Sequence, residues 1–186
     1  MKKFLIAIVA LMTMTAAQAQ SVKEQIEASQ NAIAELKGLL ENNPKESGAA
    51  EVDAFMEATN GVASQAIENS SKLKALYDKM VGANADVLND LENDVKNVKA
   101  GIEKEVSDMT GCKEKAETAA KAVADLTSEL ASASALAKVK VAKKLKASTS
   151  VLNHTKDVST LLLQETTRQA SIAGTLLSAI TSGTGL

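Results

Sequence analysis

The chain has 186 residues, of which 45% are hydrophobic, and its 21 basic and 23 acidic residues leave a formal net charge of −2. Two phenylalanines, one tyrosine and no tryptophan make it poor in aromatic side chains, which disfavours the stacking platforms of single-strand nucleic-acid-binding proteins. The single cysteine, Cys112, excludes an internal disulfide. It predicts a small buried side chain, with pairing between two chains as the alternative.

The first 19 residues have the layout of a secretory signal peptide. Two lysines precede an apolar run over residues 4–11, and Ala17-Gln18-Ala19 forms a small-x-small cleavage site. The apolar run is shorter than the roughly 20 residues that a membrane-spanning helix needs. We therefore predict cleavage at about Ala19 and an exported protein, located in the periplasm, at the cell surface or outside the cell.

The sequence after the signal peptide favours helix almost throughout, because it is rich in Ala, Leu, Lys and Glu and has one proline. Apolar residues recur at steps of three and four, which places them on one side of a helix. The first predicted helix covers about 21–43 and ends before Pro44, with Ser29 as the one polar residue in its apolar series. The second covers about 48–81, and Gly82 and Asn84 supply its end and the start of the next helix.

The third predicted helix covers about 85–146, with a break considered near 111, at Thr110-Gly111, or near 132, in a stretch rich in small residues. The fourth covers about 149–181, and residues 182–186 are predicted to fray. No repeat of fixed period is visible, which excludes a solenoid.

These elements predict an all-α fold, an elongated antiparallel helical bundle or coiled coil of about four long helices that forms one domain over residues 20–181. The plan of a signal peptide followed by a long-helix bundle resembles that of minor pilus subunits of type IV secretion systems. The resemblance covers architecture only and transfers no residue, because no sequence motif carries it.

The motifs that would indicate catalysis or metal binding are missing from the sequence. His154 is the only histidine, whereas zinc sites need several nitrogen or sulfur ligands and a catalytic histidine needs an oriented partner. The alternating carboxylates of "NDLENDVK" lack the glycine of a calcium loop and interleave with apolar residues of the helix pattern. The sequence therefore predicts a protein that is not an enzyme and has no cofactor and no metal site.

Charge is distributed unevenly along the chain. Residues 20–110 hold 9 lysines and 17 acidic residues, whereas residues 111–186 hold 10 basic and 6 acidic residues. Half of those 10 lie in one short block, the candidate interaction patch: Lys138, Lys140, Lys143, Lys144 and Lys146. The first interpretation is that the block pairs with the acidic first half of the same chain. The alternative is that it binds an anionic lipid or polyanion.

Composition and motifs together predict an exported, non-enzymatic helical protein with an interaction or structural role, such as an adhesin, an assembly subunit or a periplasmic scaffold. Its partners are expected to be proteins, and association between copies of the chain is left open. Nucleic acid is disfavoured, because an acidic chain without a long basic stripe neutralises few phosphates. The alternative function is a membrane-active or lipid-binding protein that uses residues 138–146.

Overall fold

The computed structural model describes residues 21–183 and Leu186; the predicted signal peptide lies outside the described residues. Four helices follow one another, and the described part of the chain contains no strand. Their bounds are α1 Val22–Glu41, α2 Ala50–Met80, α3 Ala85–Ser132 and α4 Ala135–Ser182. The prediction of an all-α helical bundle is confirmed.

Short polar side chains fix where the first three helices begin. Ser21 and Glu24 form a reciprocal capping box, in which the Ser21 backbone N–H donates to the Glu24 carboxylate at 2.9 Å. Asp53 accepts from the backbone N–H of Ser47 at 2.7 Å, within the turn that leads into α2. Asn84 Oδ1 accepts from the Val87 N–H at 3.0 Å, which makes Asn84 the predicted N-cap of α3.

Two of the connections between helices contain a glycine with positive φ. Gly48 has a φ of 74° before α2, and Gly82 has a φ of 71° between α2 and α3. Only glycine adopts this backbone conformation without steric cost, so both turns depend on the residue type. The loops 42–49 and 81–84 lie where Pro44, Gly48 and Gly82 predicted them.

The second half of the chain differs from the prediction in one boundary. Helix α3 runs through Thr110-Gly111 without a break and ends at Ser132, so the interruption lies at the second of the two places considered. Helix α4 begins directly after the two-residue turn Ala133-Ser134 and continues through 147–148, where the sequence predicted a boundary. The structure therefore has two helices of equal length, 85–132 and 135–182, in place of the predicted helices 85–146 and 149–181.

Burial in the two long helices follows a seven-residue period, the repeat of coiled coils. Every seventh side chain is buried over most of each helix. In α3 this series is Leu91, Val98, Glu105, Cys112, Ala119 and Leu126, and in α4 it is Val141, Ser148, Thr155, Leu162, Gln169 and Leu176. Inward positions thus include polar residues, which hydrophobicity alone does not reveal.

The contacts divide the chain into two compact units. Unit 1 contains the described residues up to Ile33 together with 66–104 and those from Gln164 onward. Unit 2 contains residues 34–65 and 105–163, so each unit includes part of all four helices.

The core of unit 1 is a continuous apolar cluster contributed by all four helices. Its largest fully buried members are Leu73, Met80, Leu88, Ile102, Ile172 and Leu176. Helices α2 and α3 are close together here, since a methyl group added at Gly101 would lie 2.9 Å from the Asn69 side-chain oxygen.

The core of unit 2 is also apolar. Phe55 is 2% exposed and is the largest of its buried apolar side chains. The others are Leu36, Ala49, Val52, Val62, Ala63, Cys112, Ala119, Leu126, Val141, Val151, Leu152, Val158 and Leu162.

Candidate interaction surface

The lysine block predicted from the sequence lies in the first three turns of α4, in unit 2. All five of its lysines are exposed, and the two most exposed large apolar side chains of the described chain lie on the same helical segment, Leu136 just before the block and Val139 within it. Leu136 is 93% exposed and Val139 is 62% exposed. Leucine is among the residue types most often buried, so a leucine left almost entirely in water, in the middle of a charged surface, requires an explanation.

Helical spacing divides this segment into an inner and an outer side. Val141 is buried at 8% exposure and Ser148 is fully buried, so their side of α4 faces the core of unit 2. Residues spaced three, four and seven apart share a face of a helix. The outward face therefore consists of Leu136, Val139, Lys140, Lys143 and Lys146, which we call the basic face. Lys138 and Lys144 flank it.

The lysines are not placed where they would stabilise α4. The first turns of α1, α2 and α3 carry acidic residues, as the positive end of a helix dipole favours, whereas the first turn of α4 carries none. No carboxylate occurs between Glu129 and Asp157 in the sequence. Lysines near the start of a helix lower its stability. Their accumulation in α4 therefore indicates a role other than stabilising the helix.

None of the five lysines forms an ion pair in the part of the chain that the structure describes. The ion pairs found there join residues three or four apart on one helix, as between Lys72 and Glu68 at 2.6 Å or Lys74 and Asp78 at 2.6 Å. The first interpretation of the block, pairing with the acidic first half of the chain, therefore has no ion pair to support it. The basic face is left with its charge uncompensated.

A groove of opposite character lies at the start of α2, also in unit 2. It is lined by Ala50, Ala54 and Met56 and by the exposed Glu46 and Glu57. Asp53 also lines it, but the Asp53 carboxylate already accepts from the N–H groups of Ser47 and Gly48. Glu46 and Glu57 form no ion pair within 4.0 Å among the described residues. The sequence analysis missed this groove, since its acidic residues are spread over a loop and two helical turns.

A buried polar cluster in unit 1 was also missed. Glu165 is fully buried on an inward position of α4, where its carboxylate accepts a hydrogen bond from the Ser29 hydroxyl and another from the Gln169 amide at 3.1 Å. Ser29 also contacts Ser70 at 2.7 Å, and the Gln169 amide donates to the Ala66 carbonyl at 2.9 Å. The cluster thereby joins α1, α2 and α4 through hydrogen bonds in the core of unit 1.

Burial raises the pKa of the Glu165 carboxyl above its ordinary value, while the hydrogen bonds from Ser29 and Gln169 and the nearby Arg168 guanidinium oppose the rise. Arg168 donates to the second carboxylate oxygen from a side chain that is 28% exposed. The chemistry of the cluster is that of a hydrogen-bonded core layer. The one signal in the sequence was Ser29, the polar residue in the apolar series of α1.

The remaining residues that could carry chemistry are separate from one another. Cys112 is buried, and burial raises the pKa of its thiol. The His154 ring lies 3.0 Å from the Asn43 side-chain oxygen, where it joins α4 to the loop after α1. Among the residues that the structure describes, no three His, Cys, Asp or Glu side chains are grouped so that they could hold a metal ion.

None of the described helices is both long enough and apolar enough to cross a membrane. Comparison of the chain with protein-family models, with curated proteins and with solved structures produced no match.

Proposed function

We propose that this is an exported, non-enzymatic helical protein that binds an acidic partner protein through the basic face at the start of α4. The role is that of an adhesin, an assembly subunit or a periplasmic scaffold. The observation that supports it is the exposure of Leu136 at 93% and of Val139 at 62% beside lysines that form no ion pair among the described residues. Export is proposed from the signal-peptide pattern of the first 19 residues.

The basic face combines the two elements of a protein interface. Burial of a leucine or valine side chain by a partner contributes about 1.5–3 kcal/mol each, so Leu136 and Val139 supply the affinity. The lysines around them select an acidic partner and raise the rate of encounter, which is what charges at the edge of an interface do. An interface of this kind needs no pocket, no metal and no aromatic platform.

A photo-crosslinking experiment tests the proposal. The photoreactive residue p-benzoylphenylalanine replaces Val139 on the basic face, and in a matched control it replaces Lys37, which is exposed on α1. After irradiation of intact cells, we expect discrete protein adducts from position 139, and we expect Leu136→Ser to reduce them. Equal labelling from both positions, or none from either, would contradict the proposal. The mass of the exported chain, expected to begin at Gln20, tests export in the same cells.

A second candidate function, binding to an anionic lipid surface, is favoured by the same neighbourhood of Leu136 and lysine side chains. Each lysine near an anionic membrane contributes about 1 kcal/mol, and an exposed leucine can enter the headgroup region. Co-sedimentation with phosphatidylglycerol vesicles, with phosphatidylcholine vesicles as the control, separates the two functions. Selective binding to the anionic vesicles, lost in K140E/K143E, would establish the lipid function in place of the protein interaction.

A further inference from the structure

We infer that the occupant of the basic face is a second copy of this chain, which presents the acidic groove at the start of its α2. The inference rests on the proposed function, because it names the partner of the same surface. The groove carries the carboxylates of Glu46 and Glu57 beside the apolar side chains of Ala54 and Met56. It therefore complements both the lysines and the apolar side chains of the basic face.

The two surfaces have the same helical spacing. The basic face presents Leu136, Val139, Lys140 and Lys143 at positions i, i+3, i+4 and i+7 of α4. The groove presents Ala50, Asp53, Ala54 and Glu57 at positions i, i+3, i+4 and i+7 of α2. Each stripe covers about two helical turns, or roughly 11 Å, so the two stripes match in length.

Charge also matches across the two surfaces. Lys140 and Lys143 form no ion pair among the described residues, and neither do Glu46 and Glu57, so these four groups are available to a neighbour. Small residues line the groove at Ala50 and Ala54, which leaves room for the larger Leu136 and Val139 side chains of another copy.

The resulting contact is head-to-tail. Different patches meet on the two copies, so each bound pair still exposes one free basic face and one free groove, and further copies can add. A two-turn stripe is well below the roughly 800 Å² per partner of a stable complex. Association is therefore weak, dependent on protein concentration, and sensitive to salt, because surface charges are screened within about 10 Å at 0.1 M.

Sedimentation equilibrium of residues 20–186, which contain all four helices, tests the inference with two charge-reversal variants. K140E/K143E carries two acidic surfaces and E46K/E57K carries two basic ones, so neither variant can bind itself. An equimolar mixture restores both kinds of complementary contact. We expect the wild-type chain to self-associate in low salt. Each variant alone should show an association constant at least about tenfold lower, because about two surface pairs become repulsive. The equimolar mixture should recover the association of the wild type.

Matched controls reverse the same number of charges elsewhere. K37E/K121E and E35K/E117K change exposed side chains on α1 and α3, so they reproduce the change in net charge without touching either surface. The control variants should associate as the wild type does. Failure of the mixture to recover, or an equal loss in the controls, would overturn head-to-tail pairing.

The outcomes also separate this inference from the proposed function. A wild-type chain that stays monomeric at all concentrations and yet gives adducts from position 139 with other proteins would overturn self-association and leave the proposed function intact. A monomeric chain that binds phosphatidylglycerol vesicles through Lys140 and Lys143 would overturn the inference in favour of lipid. Absence of adducts, vesicle binding and self-association would overturn both.

Discussion

Glu165 lies in an environment that is unfavourable for an ionised carboxylate. It is fully buried, and the groups around it are uncharged except for Arg168 on its own helix. The hydroxyls of Ser29 and Ser70 come from α1 and α2, and the Gln169 amide comes from the next turn of α4. A buried carboxyl in a layer of hydroxyls and amides fixes which residues of the helices lie opposite one another, because any shift would leave it without donors.

The raised pKa of Glu165 gives the stability of the fold a defined pH dependence. Because the folded-state pKa lies above the unfolded value, the native state binds the proton more tightly. The stabilising contribution is therefore fully present below the unfolded pKa of about 4.3 and is lost as pH rises through the folded pKa.

We expect Glu165→Gln to remove that dependence, because glutamine resembles the protonated side chain and does not ionise. The free energy of unfolding of the variant, relative to the wild type, should increase as pH rises from 4 to 8. Urea unfolding across this range measures the difference, and Glu35→Gln, at an exposed position of α1, is the matched control. A difference that is constant with pH would show that Glu165 does not titrate in this range.

At the scale of the elements, the turn Ala133-Ser134 is the boundary that distinguishes the structure from the sequence prediction. The backbone carbonyl of Ser134 accepts the first hydrogen bond of α4, from the Lys138 N–H at 2.9 Å. Ala135 is therefore the first residue of the helix, a position that proline occupies without loss of a hydrogen bond. Positions 111 and 147 lie inside helices, where proline removes a hydrogen bond and clashes with the preceding turn.

Proline substitution at these three positions tests the boundary. Ala135→Pro should change the free energy of unfolding by less than about 1 kcal/mol, whereas Gly111→Pro and Ala147→Pro should each cost about 3 kcal/mol or more. Thermal unfolding followed by circular dichroism gives the comparison. If Ala147→Pro were tolerated as well as Ala135→Pro, the boundary predicted from the sequence near 147 would be the correct one.

The sequence predicted the starts and ends of α1 and α2 and the start of α3, because Pro44, Gly82 and Asn84 act locally and their chemistry is visible in one dimension. It failed at 147–148 because Ser148 occupies an inward position of the seven-residue repeat. A serine or threonine at an inward position interrupts the apolar pattern just as a loop does, and only the packing of the neighbouring helices shows that it is buried. Glu165 and Gln169 were missed for the same reason.

For the candidate site, the sequence identified the five lysines. It did not decide whether they pair with the acidic first half of the chain or bind an anionic lipid or polyanion. Five lysines in a short helical segment are visible in composition. Exposure of Leu136 and the absence of a counter-charge are properties of the folded surface. The acidic groove depends on how the turn before α2 places Glu46 beside Glu57, which no spacing rule provides.

Over the whole molecule, the excess of acid before Thr110 and of base after it suggests long-range attraction, but the described residues show no ion pair that uses the lysine block. We therefore expect K140E/K143E/K144E to unfold with the same free energy as the wild type, within about 0.5 kcal/mol, as is usual for surface substitutions. Urea unfolding in low and in high salt measures this. A loss of about 1–2 kcal/mol that shrinks in high salt would instead support pairing within the chain, since exposed pairs contribute about 0.2–1 kcal/mol each.

The short connections between the helices also affect the order in which contacts form during folding. Loop 42–49 and the turn Ala133-Ser134 both lie in unit 2, whereas loop 81–84 is the only connection between helices in unit 1. Closing a short loop costs little chain entropy, so we expect the helices on either side of all three connections to meet early during folding. The hydrogen bond from Ser29 to Glu165 spans 136 residues of the chain, so we expect it to form after those nearer contacts. On this argument the polar cluster completes an arrangement that the short connections begin.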